Sequence, residues 1–233
     1  MNFLEQFADK LYSTFIEDAR WTYLTDGLKT TLIVTFFAVI VGVILGFLIA
    51  VIRATHDKTG DLKILNFLAK IYLTVIRGTP VVVQLLIIYF VIFASVNIDK
   101  TFVAVLAFGL NSAAYVAEIV RSGIMSIDNG QFEAGASLGL NYPRTMIYII
   151  MPQALRNILP ALANEFIVLL KETSVAGYIA LTDLTKGGDI IRSATYEAFL
   201  PLIAVALIYL IMVMILSGLV SKLERRLAKS DRG

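Results

Sequence analysis

Several ionisable side chains of this sequence lie inside or beside long apolar runs, where a charge is expensive to place. They are Arg77, Glu118, Glu165, Lys171 and Glu172. Ionisable residues within a membrane usually face a bundle interior, a partner or a water-filled path. A carboxylate on such a path attracts a positive charge strongly, because the surroundings have a low dielectric constant. These residue types therefore favour a path for a cationic or zwitterionic solute.

The spacing of the charged residues leaves their roles open. Glu165 and Glu172 are two helical turns apart, so they share one helix face, whereas Lys171 points away from Glu172. Spacing does not decide whether that face lines the path. Glu118 lies within helical contact range of Arg121, so a structural ion pair is as consistent with the pattern as a role in transport.

The stretch from Lys171 to Gly177 reads KETSVAG and follows an apolar run. Broken helices are tolerated at membrane depth where they line a cavity, and such breaks bind ligands in transporters. We therefore expect the fourth membrane helix to end here before crossing the whole membrane, with Glu172 and Ser174 facing the solute.

Catalytic and metal-binding patterns are missing from the sequence. There is no cysteine, and the single histidine, His56, lies among charged residues in a loop-like stretch. The chain contains no G-x-x-x-x-G-K-[ST] phosphate loop, no G-x-S-x-G turn and no H-E-x-x-H pair. We expect no catalytic residue, metal site or cofactor in this chain. Active transport would need an ion gradient or a second protein as its energy source.

The composition indicates an integral membrane protein that consists of α-helices. Of the 233 residues, 58% are hydrophobic and 16% are charged, against about 45–50% apolar and about 25% charged in soluble proteins. Five runs are long and apolar enough to predict membrane helices, although Glu118 and Glu165 interrupt two of them. The predicted spans are Thr30–Ile52, Gly78–Ile98, Thr101–Val120, Leu155–Leu170 and Ala198–Ser221.

The remaining segments lie at the ends of the predicted membrane domain, 25–222, and between its first two spans. Residues 1–24 have apolar side chains every four residues from Phe3, which predicts an amphipathic helix at the extracytoplasmic membrane surface. Residues 61–77 carry one polar stripe and are interpreted as the approach to span two, bent near Gly78 and Pro80, with a separate sixth span as the alternative. Residues 223–233 form a basic tail.

Lysine and arginine placement predicts the orientation in the membrane. One side has twelve basic residues and the other has six, and the richer side is expected to be cytoplasmic. An odd number of spans then puts the N-terminus outside, the C-terminus in the cytoplasm and residues 128–152 in the cytoplasm. The richer side comprises Arg53, Lys58, Lys63, Lys70, Arg121, Arg144, Arg156, Lys222, Arg225, Arg226, Lys229 and Arg232; the other comprises Lys10, Arg20, Lys29, Lys100, Lys186 and Arg192.

The segment Glu133–Pro152, EAGASLGLNYPRTMIYIIMP, joins two predicted spans and has a charged start followed by small residues. It resembles the EAA motif of the membrane subunits of bacterial ABC importers, which reads Glu-Ala-Ala, three residues, Gly, nine residues, Ile, any residue, Leu-Pro. The spacing is complete, with Gly135 for the third Ala and Met151 for Leu. Further stretches are similar to the polar amino acid subfamily of the histidine, glutamine and arginine permease type: RGTP at 77–80 followed by Gln84, AYVAEIVRSGI at 114–124, and NEFIVLLKETS at 164–174.

This resemblance covers about residues 25–222 and implies the type I importer permease fold, with five core spans and a cytoplasmic coupling helix between spans three and four. It also implies a bacterial inner-membrane location and a permease dimer, made either of two copies of this chain or of one copy and a paralogue. The other implied partners are two cytoplasmic ATPases that bind ATP and Mg²⁺, and an extracytoplasmic amino acid-binding protein. The expected coupling residues are Glu133, Ala134, Gly135, Gly139 and Pro152. The expected substrate-path residues are Glu172, Lys171, Ser174, Glu165, Asn164, Arg77, Gln84 and Glu118.

Local chemistry supports a helical coupling segment. Asp128 or Asn129 can cap a helix that starts near Gly130, and Pro143 suits the first turn of a second short helix, which Pro152 is expected to break. Small residues at 134, 135, 136 and 139 are expected to allow close approach to a partner. The rival interpretations are a gradient-driven carrier or channel, which would be expected to show inverted repeats or a proton relay, and a non-transporting membrane scaffold.

Overall fold

The computed structural model describes residues 2–229, and each regular element in that part of the chain is helical. Helices satisfy their own backbone hydrogen bonds, which is what an apolar surrounding requires. The α-helices are α1 (Phe3–Leu11), α2 (Trp21–Thr59), α3 (Lys63–Arg77), α4 (Val81–Ile87), α5 (Lys100–Met125), α6 (Asn129–Ser137), α7 (Tyr142–Thr145), α8 (Met151–Glu172), α9 (Leu184–Thr195) and α10 (Phe199–Lys229). The π-helical turns are Tyr12–Ile16, Ile88–Ile92 and Met146–Ile150, and the 3₁₀ helices are Glu17–Ala19 and Thr173–Ile179.

Four helical stretches are long and apolar enough to cross a membrane by themselves. They are Trp21–Thr59, Lys100–Met125, Tyr142–Ile179 and Phe199–Leu227. A fifth span results if Lys63–Arg77 and Val81–Ile92 count together as one broken span. The expected bend is present, because α3 ends at Arg77 and α4 begins after Pro80. At 15 residues, α3 is ~22 Å long, which is too short for the alternative of a separate sixth span.

The membrane helices extend beyond the uncharged runs that predict them. Helix α2 begins at Trp21, nine residues before Thr30, and continues past Arg53 to Thr59. An uncharged run marks only the part of a helix that suits hydrocarbon, and the polar ends continue the same hydrogen-bond ladder into the interface. Helix α8 likewise exceeds its predicted run at both ends.

The described residues form two compact units. Unit 1 contains residues 2–38, 81–108 and 168–216, and unit 2 contains residues 39–80, 109–167 and 217–229. The last residues of the predicted basic tail, 230–233 with Arg232, lie outside the described part of the chain. The side chains of Phe3, Ala228 and Lys229 lie outside it as well.

Unit 1 has a small apolar core around the first turns of α9. Leu184 and Ile191 of α9 pack with Leu24 of α2 and Val205 of α10. Asp183 caps α9, since its side chain accepts hydrogen bonds from the backbone N–H groups of residues 185 and 186 at 3.1 and 3.0 Å. These contacts hold in place the polar segment that contains α9, for which the sequence patterns had predicted no helix.

The N-terminal segment of unit 1 is a short helix followed by sharp turns. Helix α1 ends at Leu11, and both Asp18 and Ala19 have positive φ angles. Lys10 forms an ion pair with Glu197 at 3.4 Å, and Thr14 is buried. Amphipathic character is present in α1, and tertiary contacts hold the residues that follow it.

Unit 2 is built where α2, α5 and α8 pack through small and branched residues. The buried side chains of this core are those of Ala50, Ala54, Val116, Val120, Ile124, Ile150, Ala154 and Ile158. Alanines on α2 let the helix approach α5 closely, since they carry little side chain. The Tyr72 hydroxyl of α3 donates to the Leu110 carbonyl of α5, and Leu73 of α3 packs with Ala114 and Ala117 of α5.

We expect Gly187→Ala to destabilise unit 1 by about 1–3 kcal/mol, the usual cost of overpacking a dense site. A methyl group at Gly187 would overlap the backbone carbonyl of Tyr23, which cannot move aside as a side chain could. The matched control is Gly218→Ala in α10, where a methyl group meets nothing within 4 Å. Thermal unfolding in detergent, followed by size-exclusion chromatography, measures both. Equal unfolding temperatures for the two variants would contradict the close approach.

Candidate functional site

Three arginines of unit 2 surround the carboxylate of Glu118. Arg121 Nη2 lies 2.6 Å from Glu118 Oε1, while Arg53 Nη1 and Arg77 Nη1 lie 3.4 and 3.9 Å from Oε2. Arg121 also pairs with Asp57 at 3.4 Å. The pair of Glu118 with Arg121 confirms the structural ion pair suggested by their spacing, and the same carboxylate also reaches a cavity.

That cavity has a volume of about 480 Å³ and is lined by Arg77, Tyr115, Glu118 and Glu165, among others. The Arg77 guanidinium lies over the Tyr115 ring, 5.6 Å from its centroid. Glu165 is only 8% exposed and accepts a hydrogen bond from Ser112 Oγ at 3.1 Å. The structure therefore brings three expected path residues, Arg77, Glu118 and Glu165, to one cavity with both signs of charge.

Asn164, by contrast, is exposed and does not line this cavity. Polar residues that spacing did not single out complete the wall, namely Ser122, Ser126 and Asn157. Asn157 donates to Ser126 Oγ at 3.0 Å, so these side chains orient one another. The two serines could have been found from their spacing, because Ser122 lies near the end of α5 and Ser126 follows that helix four residues later.

The remaining expected path residues belong to unit 1. Helix α8 ends at Glu172, but the chain continues directly as the 3₁₀ helix Thr173–Ile179, and the helical stretch Tyr142–Ile179 is long enough to cross a membrane, so the expectation that this helix ends before crossing is wrong. Glu172 is half-buried, Lys171 is exposed, and Gln84 is buried at 8% exposure. In unit 1, Val81–Ile87 contacts the 3₁₀ helix.

A second cavity, of about 330 Å³, lies in unit 1 and includes Ser174, Lys186 and Asp189 in its wall. Hydrogen bonds from Lys186 and then from Arg192 hold the pKa of Asp189 below its ordinary value. Burial raises the pKa of Asp183, and the N–H groups that it caps oppose this rise. Sequence reasoning missed both carboxylates, since neither interrupts an apolar run.

The segment expected to couple to the ATPases begins with α6, whose N-terminus is capped as expected. Asp128 accepts a hydrogen bond from the backbone N–H of Gly130 at 2.6 Å. Asn141 caps α7 in the same way at 3.2 Å, with Pro143 in the first turn. Between the two helices, Gly139 has φ +76°, a left-handed conformation that glycine adopts without strain.

Exposure divides the expected coupling residues into two groups. Glu133, Ala134 and Gly139 are exposed, whereas Gly135 is buried and a methyl group there would lie 2.6 Å from Thr145 Cγ2. The missing side chain of Gly135 thus serves the contact of α6 with α7, so the expectation of a partner contact at this residue does not fit its burial. Leu138 is 76% exposed and was not among the expected coupling residues. An exposed apolar side chain in a polar loop is itself a sign of a contact surface.

The expectation that Pro152 breaks the short helix before span four is wrong. The π-helical turn Met146–Ile150 leads directly into α8, and Pro152 occupies the first turn of α8. The Met151 N–H still donates to the Met146 carbonyl, so the hydrogen-bond ladder is kept up to the proline, which itself has no N–H to donate. Pro152 therefore marks the change from π to α geometry within a continuous helical stretch.

The family model described as "Binding-protein-dependent transport system inner membrane component" matches residues 42–229. The chain belongs to this family. It is 39% identical over 211 residues to the arginine transport system permease protein of Bacillus subtilis (strain 168), covering 90% of this chain and 94% of the relative. It is also 39% identical over 207 residues to the glutamine transport system permease protein of Escherichia coli (strain K12), covering 88% and 92%.

Solved structures share the permease fold. An amino acid ABC transporter crystallised with histidines matches with a TM-score of 0.82 and 45% identity, covering 91% of this chain and 98% of the other. The inward-facing MetNI methionine ABC transporter matches with a TM-score of 0.77 at 18% identity, which shows the fold alone. The expected fold class and family are confirmed: the chain is a multi-span permease subunit of an ABC importer, located in the inner membrane. It is a transporter subunit and not an enzyme, and its family works with an ATPase and a binding protein.

Proposed function

We propose that this permease carries polar amino acids, with a preference for cationic ones, along a path that includes the 480 Å³ cavity of unit 2. The observation that carries the proposal is the cavity wall, where the Glu165 carboxylate is nearly buried and the Arg77 guanidinium is also present. An amino acid presents an ammonium group and a carboxylate, so a wall with both charges complements it.

The relatives support the same substrate class. Two similar permeases are named for arginine and glutamine transport, and a similar solved transporter contains histidines. Arginine has an additional positive charge that Glu165 in unit 2 and Glu172 in unit 1 would attract. Lys171, Ser174, Asn164 and Gln84 are proposed as further polar contacts along the path.

The exposed surface of α6 and its following turn is the proposed docking site for a cytoplasmic ATPase. Glu133, Ala134, Leu138 and Gly139 are exposed together on this short segment. Leu138 supplies an apolar side chain for the ATPase to contact. The close contact of Gly135 with Thr145 packs α6 against α7, so a displacement of α6 would be transmitted to α7. Pro152 lies at the other end of this segment, in the first turn of α8, and is proposed to transmit the movement of the segment to that helix.

The complete transporter is proposed to contain two permease chains, two ATPases that bind ATP and Mg²⁺, and one extracytoplasmic amino acid-binding protein. The distribution of basic residues supports a cytoplasmic C-terminus and an N-terminus outside, with residues 1–24 at the outer surface. In this orientation α6 faces the ATPases. Alternating exposure of the path would follow from a two-state movement of the spans.

The test is Gly139→Leu in transporters reconstituted into vesicles with the ATPase and the binding protein. We expect at least a tenfold loss of ATP-driven amino acid uptake, because the side chain strains the turn beside the docking surface. Gly60→Leu is the control, since Gly60 also has φ +76° and no atom within 4 Å of an added Cβ. It carries the same local strain outside the coupling segment and is expected to retain uptake within twofold. Undiminished ATP-driven uptake by Gly139→Leu, or uptake driven by an ion gradient without ATP, would overturn the proposal.

A further inference from the structure

A separate cleft of unit 2 has a cationic wall. Its volume is about 450 Å³, and it lies where α3 meets α2. Arg53, Lys70 and Arg77 line it, together with Thr74 and residues 73 and 78. It shares only Arg77 with the cavity of the proposed path.

The acidic residues near this cleft leave its positive charge incompletely neutralised. Glu118 is shared among Arg53, Arg77 and Arg121, and Asp57 pairs with Arg121. Lys70 forms no ion pair with any of residues 2–229 that the structure describes. Arg53 Nε is buried and has no hydrogen-bond partner in that part of the chain. Charge of this kind beside membrane-spanning helices is costly unless an anion compensates it.

Apolar residues of α3 lie next to the charged wall. Phe67, Ile71 and Val75 are 63%, 46% and 54% exposed, respectively, and they flank Lys70 and Thr74 along the same helix. A ligand that fills the cleft and continues along this surface therefore needs an anionic head and an apolar tail. Guanidinium groups bind phosphate through paired hydrogen bonds, and basic pockets between membrane helices bind anionic lipid headgroups.

We propose that the cleft binds one anionic membrane phospholipid, with its phosphate held by Arg53, Lys70 and Arg77. Its acyl chains lie along the exposed apolar side chains of α3. The Thr74 hydroxyl donates a further hydrogen bond to a phosphate oxygen. The lipid acts as a structural counter-ion between α2 and α3, and Arg77 is the residue that this cleft shares with the cavity of the proposed path.

The test is native mass spectrometry of the intact transporter complex, titrated with phosphatidylglycerol or with phosphatidylcholine. We expect phosphatidylglycerol to remain bound to the wild type and Lys70→Gln to weaken this binding about tenfold. Lys63→Gln is the matched control, because Lys63 lies two turns away on the same face of α3 and outside the cleft. It is expected to bind as the wild type does.

Arg53→Gln is a second variant, and it is expected to weaken phosphatidylglycerol binding more than Lys70→Gln does. If it fails to fold, Lys70→Gln remains a valid test, because Lys70 is exposed. Competition with inorganic phosphate and with glycerol phosphate distinguishes a lipid site from a site for a free anion. Complete displacement by either at equal concentration would overturn the lipid assignment. Equal retention of phosphatidylcholine, unchanged binding by Lys70→Gln, or no bound lipid because a second copy of the chain covers the cleft would overturn it as well.

Discussion

Replacing Glu118 with alanine is expected to destabilise the permease by about 3 kcal/mol. Removing one partner of a buried ion pair costs ~3–5 kcal/mol, and the lower end applies because the Glu118 side chain is 27% exposed. The loss is large because Arg53, Arg77 and Arg121 would then repel one another around an empty position. Thermal unfolding of the purified chain in detergent, followed by intrinsic fluorescence, measures the change.

A charge-compensated variant separates electrostatics from packing. Glu118→Gln with Arg121→Gln removes one charge of each sign and is expected to unfold at a higher temperature than Glu118→Ala. Glu133→Ala is the control for carboxylate removal in general, because Glu133 is exposed. If Glu118→Ala unfolds at the wild-type temperature, the arginines do not depend on this carboxylate.

Replacing Glu165 with glutamine is expected to change substrate preference more than it changes stability. A carboxylate and an ammonium group 4 Å apart interact by ~4 kcal/mol at an effective dielectric constant of 20. We expect uptake of arginine relative to glutamine to fall about tenfold, which corresponds to ~1.4 kcal/mol of this interaction. Uptake into vesicles, with the binding protein saturated separately with arginine, histidine or glutamine, measures the preference.

The same measurement on Glu172→Gln tests the carboxylate in unit 1. Its effect is expected to be smaller, since Glu172 is half-buried whereas Glu165 is only 8% exposed. Glu224→Gln near the end of α10 is the control and is expected to leave the preference unchanged. An unchanged preference in both Glu165→Gln and Glu172→Gln would remove these residues from substrate selection.

Features set by neighbouring residues could be predicted from the sequence. The caps at Asp128 and at the start of α7, the pairing of Glu118 with Arg121, and the bend after Arg77 depend on chemistry within a few residues. Such interactions need only a helical or turn geometry, which spacing indicates. The stretch that resembles the EAA motif, Glu133–Pro152, likewise lies within one short segment.

Features set by distant residues could not be predicted. Arg53 reaches Glu118 from 65 positions away, and Leu184 N–H donates to Thr31 Oγ1 from 153 positions away. No periodic pattern connects such residues, because their contact depends on how whole helices pack. Pro152 shows the opposite error, since a local rule predicted a break where the preceding π-helical turn lets the helix continue.

The broken pair of α3 and the segment Val81–Ile92 has a consequence for how the chain enters the membrane. With 15 residues in α3 the first piece is ~22 Å long, and the second is shorter still, whereas a hydrocarbon core is ~30 Å thick. Neither piece can insert as an independent helix, and the ends exposed at the break need partners. Stable integration of this part of the chain during synthesis therefore depends on contacts with neighbouring helices.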